Sequence, residues 1–423
     1  MKQKHHRMLC AFCALVILVS TVFPTAAFAE QPVDAAAAEQ TLTRADAAEM
    51  QQADAAVTAL TESEPYQEMD TDARKDAALA QLDTLAAKGL VEKDSIYTDE
   101  ENGMVSFRYP CGVLGGILLT EPEDETLDEE NAETETAANA LPLRLPPDLG
   151  AEMQKSRAAL LRRTENQAVE KFGTAVIYYA FDNTINSSRF PYYAYMQGFW
   201  SALGLETKIN IHVTVADLKK MGNYNVSVLS AHGSYYTYSY GKFLKRTRTE
   251  PIMLLTEEST FGKDLRYGFD LLAHRVIKVN GMYCVTSDFF RNAYKGGKLS
   301  NTIVYSETCE FLGVDGSEDN AMADALLSGG AQAVIGYVNN VYTVYSRSML
   351  WDTINHLIMG QNVGQALEHA KATYGEDDLI WYHAQGGRRP HAAASYAVLY
   401  GNSQAALHVP ESNRSMFSAD LAA

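Results

Sequence analysis

The sequence predicts an α/β protein: a mostly parallel sheet with helices on both faces, preceded by a smaller α+β N-terminal region. Three observations predict it. Apolar, β-rich runs alternate with helical stretches from residue 174 onward, and continuous apolar strands need cover on both sides, as in a parallel sheet. The 423 residues, 47% of them apolar, suffice for at least one sizeable core. The charge divides the chain. Residues 30–150 carry 28 acids and 7 bases, whereas residues 151–423 carry 25 of each, so the formal charge of -18 belongs to the first third. No dominant positive patch offers itself to phosphate, which argues against a nucleic-acid partner.

The elements follow in order. Residues 1–29 have Lys2, Lys4 and Arg7, an apolar run from Met8 to Phe23, and Ala27-Phe28-Ala29. That is a secretory signal peptide, cleaved after Ala29, leaving no membrane span in the exported chain. Cys10 and Cys13 leave with it. The remaining Cys111, Cys284 and Cys309 are too few for a disulfide framework. Residues 33–60 are Ala-rich with helical spacing. Residues 71–90 read as a helix, with Thr71 as N-cap and Gly89 as stop. Residues 104–120 read as two strands around a Pro-Cys-Gly turn. The block 121–140 is acidic without aromatics and cannot bury a core, so it is a solvated linker. A Pro-rich stretch and a helix with a basic middle follow, over 151–167.

Beyond it, 174–181 is a strand, 189–204 a helix, 208–214 a strand, and 215–222 a short helix. The run 225–233 is a strand ending in a polar turn, and 301–309 is another such strand. A helix over 320–330, a strand over 333–338, two helices within 342–374 split near Gly360, and a strand over 394–402 complete the pattern.

Two strand ends carry candidate chemistry, because function collects beyond the carboxyl ends of parallel strands. One run leads into His232-Gly233, the other into Cys309. A thiol needs a base or cation to become a thiolate, and His is the usual partner. The two are far apart in sequence, so only neighbouring strands bring them together. Gly233, without Cβ, suits an oxyanion hole, with the Cys309 N–H as second donor. A lone His-Gly is usually a turn and a lone strand-end Cys usually core; the pair is what calls for explanation. Glu307 lies two before Cys309, so strand alternation gives the two a shared direction.

Among other residues, Cys284 reads as core. Cys111 reads as a buried turn or a thiol blocking the site. His383 and His391 flank a basic loop that is either surface or a substrate gate. The Tyr-rich segment 235–240 lines a cleft or packs. No H-E-x-x-H, G-x-S-x-G or P-loop signature occurs.

The strand ending Leu-Ser-Ala-His-Gly, followed by one ending Ser-x-x-Cys, resembles the caspase-fold cysteine peptidases, with the gingipain-like, clostripain-like and CHAT-domain groups nearest by pattern. Residues 320–340, with one extra Gly, 349–371 and 397–402 resemble their following helices and closing strand, although Asn402 stands where Asp is usual. The resemblance covers residues 170–405. It implies a caspase-like sheet and a catalytic dyad of His232 and Cys309, in which the thiolate attacks and His protonates the leaving amine. Clostripain-like enzymes carry an acidic residue two before the Cys, in a pocket for Lys or Arg. Glu307 matches that position, against the alternative that it turns to solvent. No cofactor is required, and calcium, used by some relatives, stays open.

These readings combine into a secreted cysteine endopeptidase made as a zymogen. The expected divisions are a signal peptide (1–29), a pro-domain (30–120), an acidic linker and basic processing region (121–165), and a caspase-like peptidase domain (166–423). Its partners are a protein or peptide substrate and its own pro-domain as intramolecular inhibitor. Candidate self-processing sites are Lys155, Arg162, Arg163, Lys245, Arg246 and Arg248, and maturation is expected to remove nearly all the net charge. The alternative is a catalytically inactive interaction module with an N-terminal binding domain; a hydrolase of small esters or amides would share the nucleophile.

Overall fold

Two capped helices begin the part of the chain that the computed structural model describes, which is residues 41–120, 149–164, 169–181, 185, 189–241, 245–379 and 394–417. The signal segment, the acidic stretch, and His383 and His391 with their basic loop lie outside the described residues, as do the side chains of Arg162 and Arg163. In α1 (Arg44–Thr61), the Thr43 hydroxyl accepts from the Asp46 N–H while the Asp46 carboxylate accepts from the Thr43 N–H, a capping box. Helix α2 (Thr71–Ala87) is capped by Asp70, one residue before the expected Thr71. Strands β1 (Tyr97–Asp99), β2 (Met104–Arg108) and β3 (Leu114–Leu118) follow. The last two flank the Pro-Cys-Gly turn as expected.

After α3 (Leu149–Thr164) come β4 (Gly173–Ala180), α4 (Phe190–Ala202), β5 (Leu205–Asn210) and β6 (Val226–Ala231). The chain continues through β7 (Gly233–Tyr240), β8 (Arg246–Glu258), α5 (Phe261–Leu272), β9 (Val276–Val279), β10 (Met282–Thr286), α6 (Ser287–Ala293) and β11 (Ile303–Ser306). A small hairpin, β12 (Gly313–Val314) and β13 (Ser317–Glu318), precedes α7 (Ala321–Ser328) and β14 (Ala333–Val338). Last are α8 (Thr343–Ile358), α9 (Val363–Tyr374), β15 (Tyr396–Gly401) and α10 (Glu411–Phe417).

Two larger sheets result. The first has the order β15-β14-β11-β6-β4-β5 and is parallel except for β15, which runs antiparallel to β14 at one edge. Its strands are apolar on both faces. Ala175, Ile177 and Tyr179 of β4 pack with Val226, Val228, Ile303 and Tyr305 beneath α4, α8 and α9. Val176 and Tyr178 point the other way, into a cluster shared with α1, α2, α6 and α7. This is the predicted α/β arrangement, a mostly parallel sheet covered on both sides.

The second sheet, β1-β2-β3-β9-β10-β8-β7, is antiparallel except for the β3–β9 pair. It joins residues before and after the acidic stretch: Gly115 pairs with Lys278 and Gly116 with Val279. From Thr41 onward the chain is one compact unit.

The join is also sealed by buried charge. Lys278, 1% exposed, sits between Asp264 of α5, at 2.9 Å, and Asp54 of α1. Tyr109 donates its hydroxyl to Asp54, Tyr283 donates to Asp264 at 2.8 Å, and Gln51 donates to Asp264 at 2.8 Å. A buried cation is tolerated only when paired and hydrogen-bonded in this way.

Candidate active site

The polar turn expected after 225–233 is not a turn. β6 ends at Ala231 and β7 begins at Gly233, so the chain passes from one sheet to the other at His232. The Tyr-rich segment is β7 itself, with Tyr235, Tyr236 and Tyr238 buried; the Tyr236 hydroxyl donates to the Gly115 carbonyl at 2.8 Å.

Three adjacent strands bring the site residues into line. β6 pairs in parallel with β11 from Val226↔Ile303 to Leu229↔Ser306, every pair 77 positions apart, and the Glu307 N–H donates to the Leu229 carbonyl at 2.8 Å. β6 ends at Ala231, one residue before His232, and β11 ends at Ser306, three residues before Cys309, so both residues lie at the carboxyl edge of neighbouring strands. On the other side of β6, Ala180 of β4 pairs with Ala231, which puts Phe181 beside His232. The Phe181 ring meets the His232 ring edge-on at 5.2 Å, and the guanidinium of buried Arg189 lies over Phe181 at 5.0 Å. Phe181 holds the imidazole from one side. It ends an apolar strand just as His232 and Cys309 do, and that was the signal for it.

Gly233 is fixed by close approach. A Cβ built there would lie 2.2 Å from the Cys309 carbonyl oxygen and 2.4 Å from Thr308 Cγ2. Only glycine lets the His232 and Cys309 segments come this near. Cys309 is half-buried, its Sγ 3.8 Å from the Val341 carbonyl and its side chain packed against the cluster under α8. The next residue, Glu310, takes a left-handed φ of 54°, unusual for a residue with a Cβ, and its N–H donates to the Asn339 carbonyl at 3.0 Å. Burial first, then Asp315 and Asp99, push the Glu310 carboxyl up to about 7.

Glu307 turns to neither solvent nor an open cleft. It continues the inward face of Ile303 and Tyr305 and is 2% exposed. Ser230 donates to its Oε2 at 2.5 Å and Ser346 to its Oε1 at 3.4 Å, with Tyr193 and the Arg347 guanidinium close by. Burial pushes its carboxyl up to about 7, against the opposing pull of those donors and of Arg347. Arg347 is itself buried and stacks over Tyr192 at 4.4 Å. Nothing in the sequence pattern marked Arg347, a basic residue in a helix that reads as ordinary.

The other candidates lie elsewhere. Cys284 is fully buried, with its thiol pushed well up by burial, and is core. Cys111 is half-buried in its turn and packs with the α1 and α2 cluster. Lys155 is exposed on α3, and Arg162 and Arg163 lie in the same helix. Lys245 and Arg246 are exposed at the start of β8. Arg248 lies within the β7–β8 ladder and pairs with Glu250 and Asp288.

No family model matches the chain, and no curated protein matches its sequence.

Proposed function

We propose that this chain is a secreted cysteine endopeptidase of caspase-like fold, made as a zymogen. The observation that carries the reading is that His232 and Cys309 both lie at the carboxyl edge of adjacent parallel strands, with Gly233 packed directly against the Cys309 carbonyl. The Cys309 thiolate attacks the peptide carbonyl carbon, and the new C–S bond pushes the carbonyl electrons onto oxygen. The Gly233 and Cys309 N–H groups receive that oxyanion. Collapse breaks the C–N bond, and the His232 imidazolium gives its proton to the leaving amine. Water then hydrolyses the thioester.

Cleavage after Lys or Arg is proposed from the resemblance at Glu307 alone; that carboxyl is 2% exposed, so a basic substrate side chain reaches it only if the wall of α4 and α8 around it opens. Arg347 already faces that carboxylate, so a basic substrate side chain must share or displace it. Of the processing sites, Lys245 is exposed ahead of the β7–β8 ladder and Arg246 is exposed at its first pair, opposite Tyr240, whereas Lys155, Arg162 and Arg163 need their helix to unwind before entering a cleft.

The inactive interaction module draws on the apolar packing of Cys309. Alkylation separates the two readings, since a structural buried thiol is inert. The test is to purify the full chain and its Cys309→Ala variant and sequence the N-termini of all products over time. Self-processing by the parent alone, after Lys or Arg, supports the proposal. Equal processing of both, or a parent thiol inert to a small alkylating probe, overturns it.

A further inference from the structure

Helices α8 and α9 form a hairpin on the outer face of the parallel sheet. α8 ends before Gly360, whose φ of 93° reverses the chain, and the Gln361 N–H closes the turn on the His356 carbonyl at 3.0 Å. Asp352 and His356 are four apart on α8 and so share one helix face. The antiparallel return of α9 sets His369 opposite them. The His369 Nδ1 lies 2.7 Å from Asp352 Oδ2, and His356 Nε2 lies 3.7 Å from Asp352 Oδ1, too far for a hydrogen bond. The two imidazole rings face one another, with centroids 3.7 Å apart and planes 34° from parallel. One ligand atom from each of the three residues falls within 4.8 Å of the other two. Among the described residues this is the group of His, Cys and carboxylate side chains so gathered.

We propose that Asp352, His356 and His369 bind a divalent transition-metal ion, zinc fitting best, which clamps α8 to α9. Two imidazoles and one carboxylate are the donor set zinc accepts, at about 2.0–2.2 Å from each atom. Atoms already within 4.8 Å of one another close onto one ion with side-chain shifts of about an ångström. Calcium is a poor fit, because it takes six to eight oxygens and this group offers one carboxylate. The His356 side chain is 9% exposed and faces the His369 ring, so it is already held on the side of α8 that the ion would occupy. The His369 side chain is 47% exposed, which leaves a path for the ion and room for a water as fourth ligand.

The site is separate from the Cys309 centre. Asp352 is six residues along α8 from Ser346, about 9 Å at 1.5 Å per residue. The same helix presents Ser346 and Arg347 to Glu307, so a clamp at its far half steadies the wall behind that carboxylate.

The test uses the full chain carrying Cys309→Ala, which removes the competing thiolate and any self-cleavage. After chelation, zinc is titrated against a chromophoric chelator, and thermal unfolding is followed with and without the ion. The parent is expected to take up one equivalent that His369→Ala loses, with Asp352→Asn at least about tenfold weaker. Zinc should raise the melting temperature of the parent and not that of His369→Ala, whose half-exposed side chain can be removed without unfolding the core. Uptake unchanged by His369→Ala, or no uptake by the parent, overturns the proposal.

Discussion

Lys278→Met should be the most damaging single change outside the candidate active site. Lys278 is 1% exposed, and its ammonium stands between the carboxylates of Asp54 and Asp264. Removing it leaves two buried acids facing each other with no cation, although Tyr109, Tyr283, Gln51 and Ser259 still donate to them. Breaking a buried pair from one side costs about 3–5 kcal/mol. At roughly 2 °C per kcal/mol for a chain of this size, the melting temperature should fall by about 6–10 °C. Circular dichroism melts at neutral pH read it. The triple variant Asp54→Asn, Asp264→Asn, Lys278→Met should recover most of the loss, because it removes the stranded charge as well. A Lys278→Met melt within about 1 °C of the parent would refute the reasoning: the triad would then contribute nothing, and the two halves of the sheet would be held by the β3–β9 pairing and apolar packing.

Gly233→Ala should lower peptide turnover about a hundredfold, because its Cβ meets the Cys309 carbonyl at 2.2 Å and forces a shift of about an ångström at the nucleophile; wild-type turnover would remove Gly233 from the site. Glu307→Gln should flatten the pH dependence of stability between about 4.5 and 7. A carboxyl raised in the fold favours its protonated form, so its contribution is complete below 4.5 and is lost as pH rises to about 7, a difference of up to about 3 kcal/mol. Parallel stability curves for the two proteins would contradict that. A cut introduced within residues 121–148 by an added protease should leave both pieces together on size exclusion, since β3 and β9 pair across the cut; separation without denaturant would show the pairing to be weak.

The parallel sheet was legible because its strands are continuous apolar runs, a pattern that two buried faces impose. The placement of His232 and Cys309 at one sheet edge was legible for a related reason: a strand's last apolar residue tells where the chain leaves the sheet, and both residues stand within three positions of that point. What escaped is what depends on partners distant in sequence. β8 begins with Arg246, Thr247 and Arg248 and contains Pro251, which disguises a long strand. β7 shows no period of two, because Tyr occupies both faces. No local pattern marks Lys278 or Asp54, because their burial depends on each other across more than two hundred residues. Glu307 was expected in a pocket or in solvent from local alternation, yet that same alternation carries it under α8 and α4, whose positions no local pattern gives.

The acidity of the first third acquires a different meaning from this topology. Residues 41–120 hold 15 acids and 6 bases, and residues 121–150 hold 10 acids and 1 base. Each segment therefore carries nine net negative charges. Cleavage that trims the linker removes only the second nine, because the first belong to a segment whose strand β3 is a sheet neighbour of β9 and whose Asp54 meets Lys278. An inhibitory pro-domain that dissociates would have to tear a strand from a sheet and strand a buried lysine, a cost of several kcal/mol before any apolar surface is counted. If the proposed peptidase is activated by cutting, activation must therefore come from freeing the chain around the cut, with residues 41–120 remaining as a structural part of the active protein.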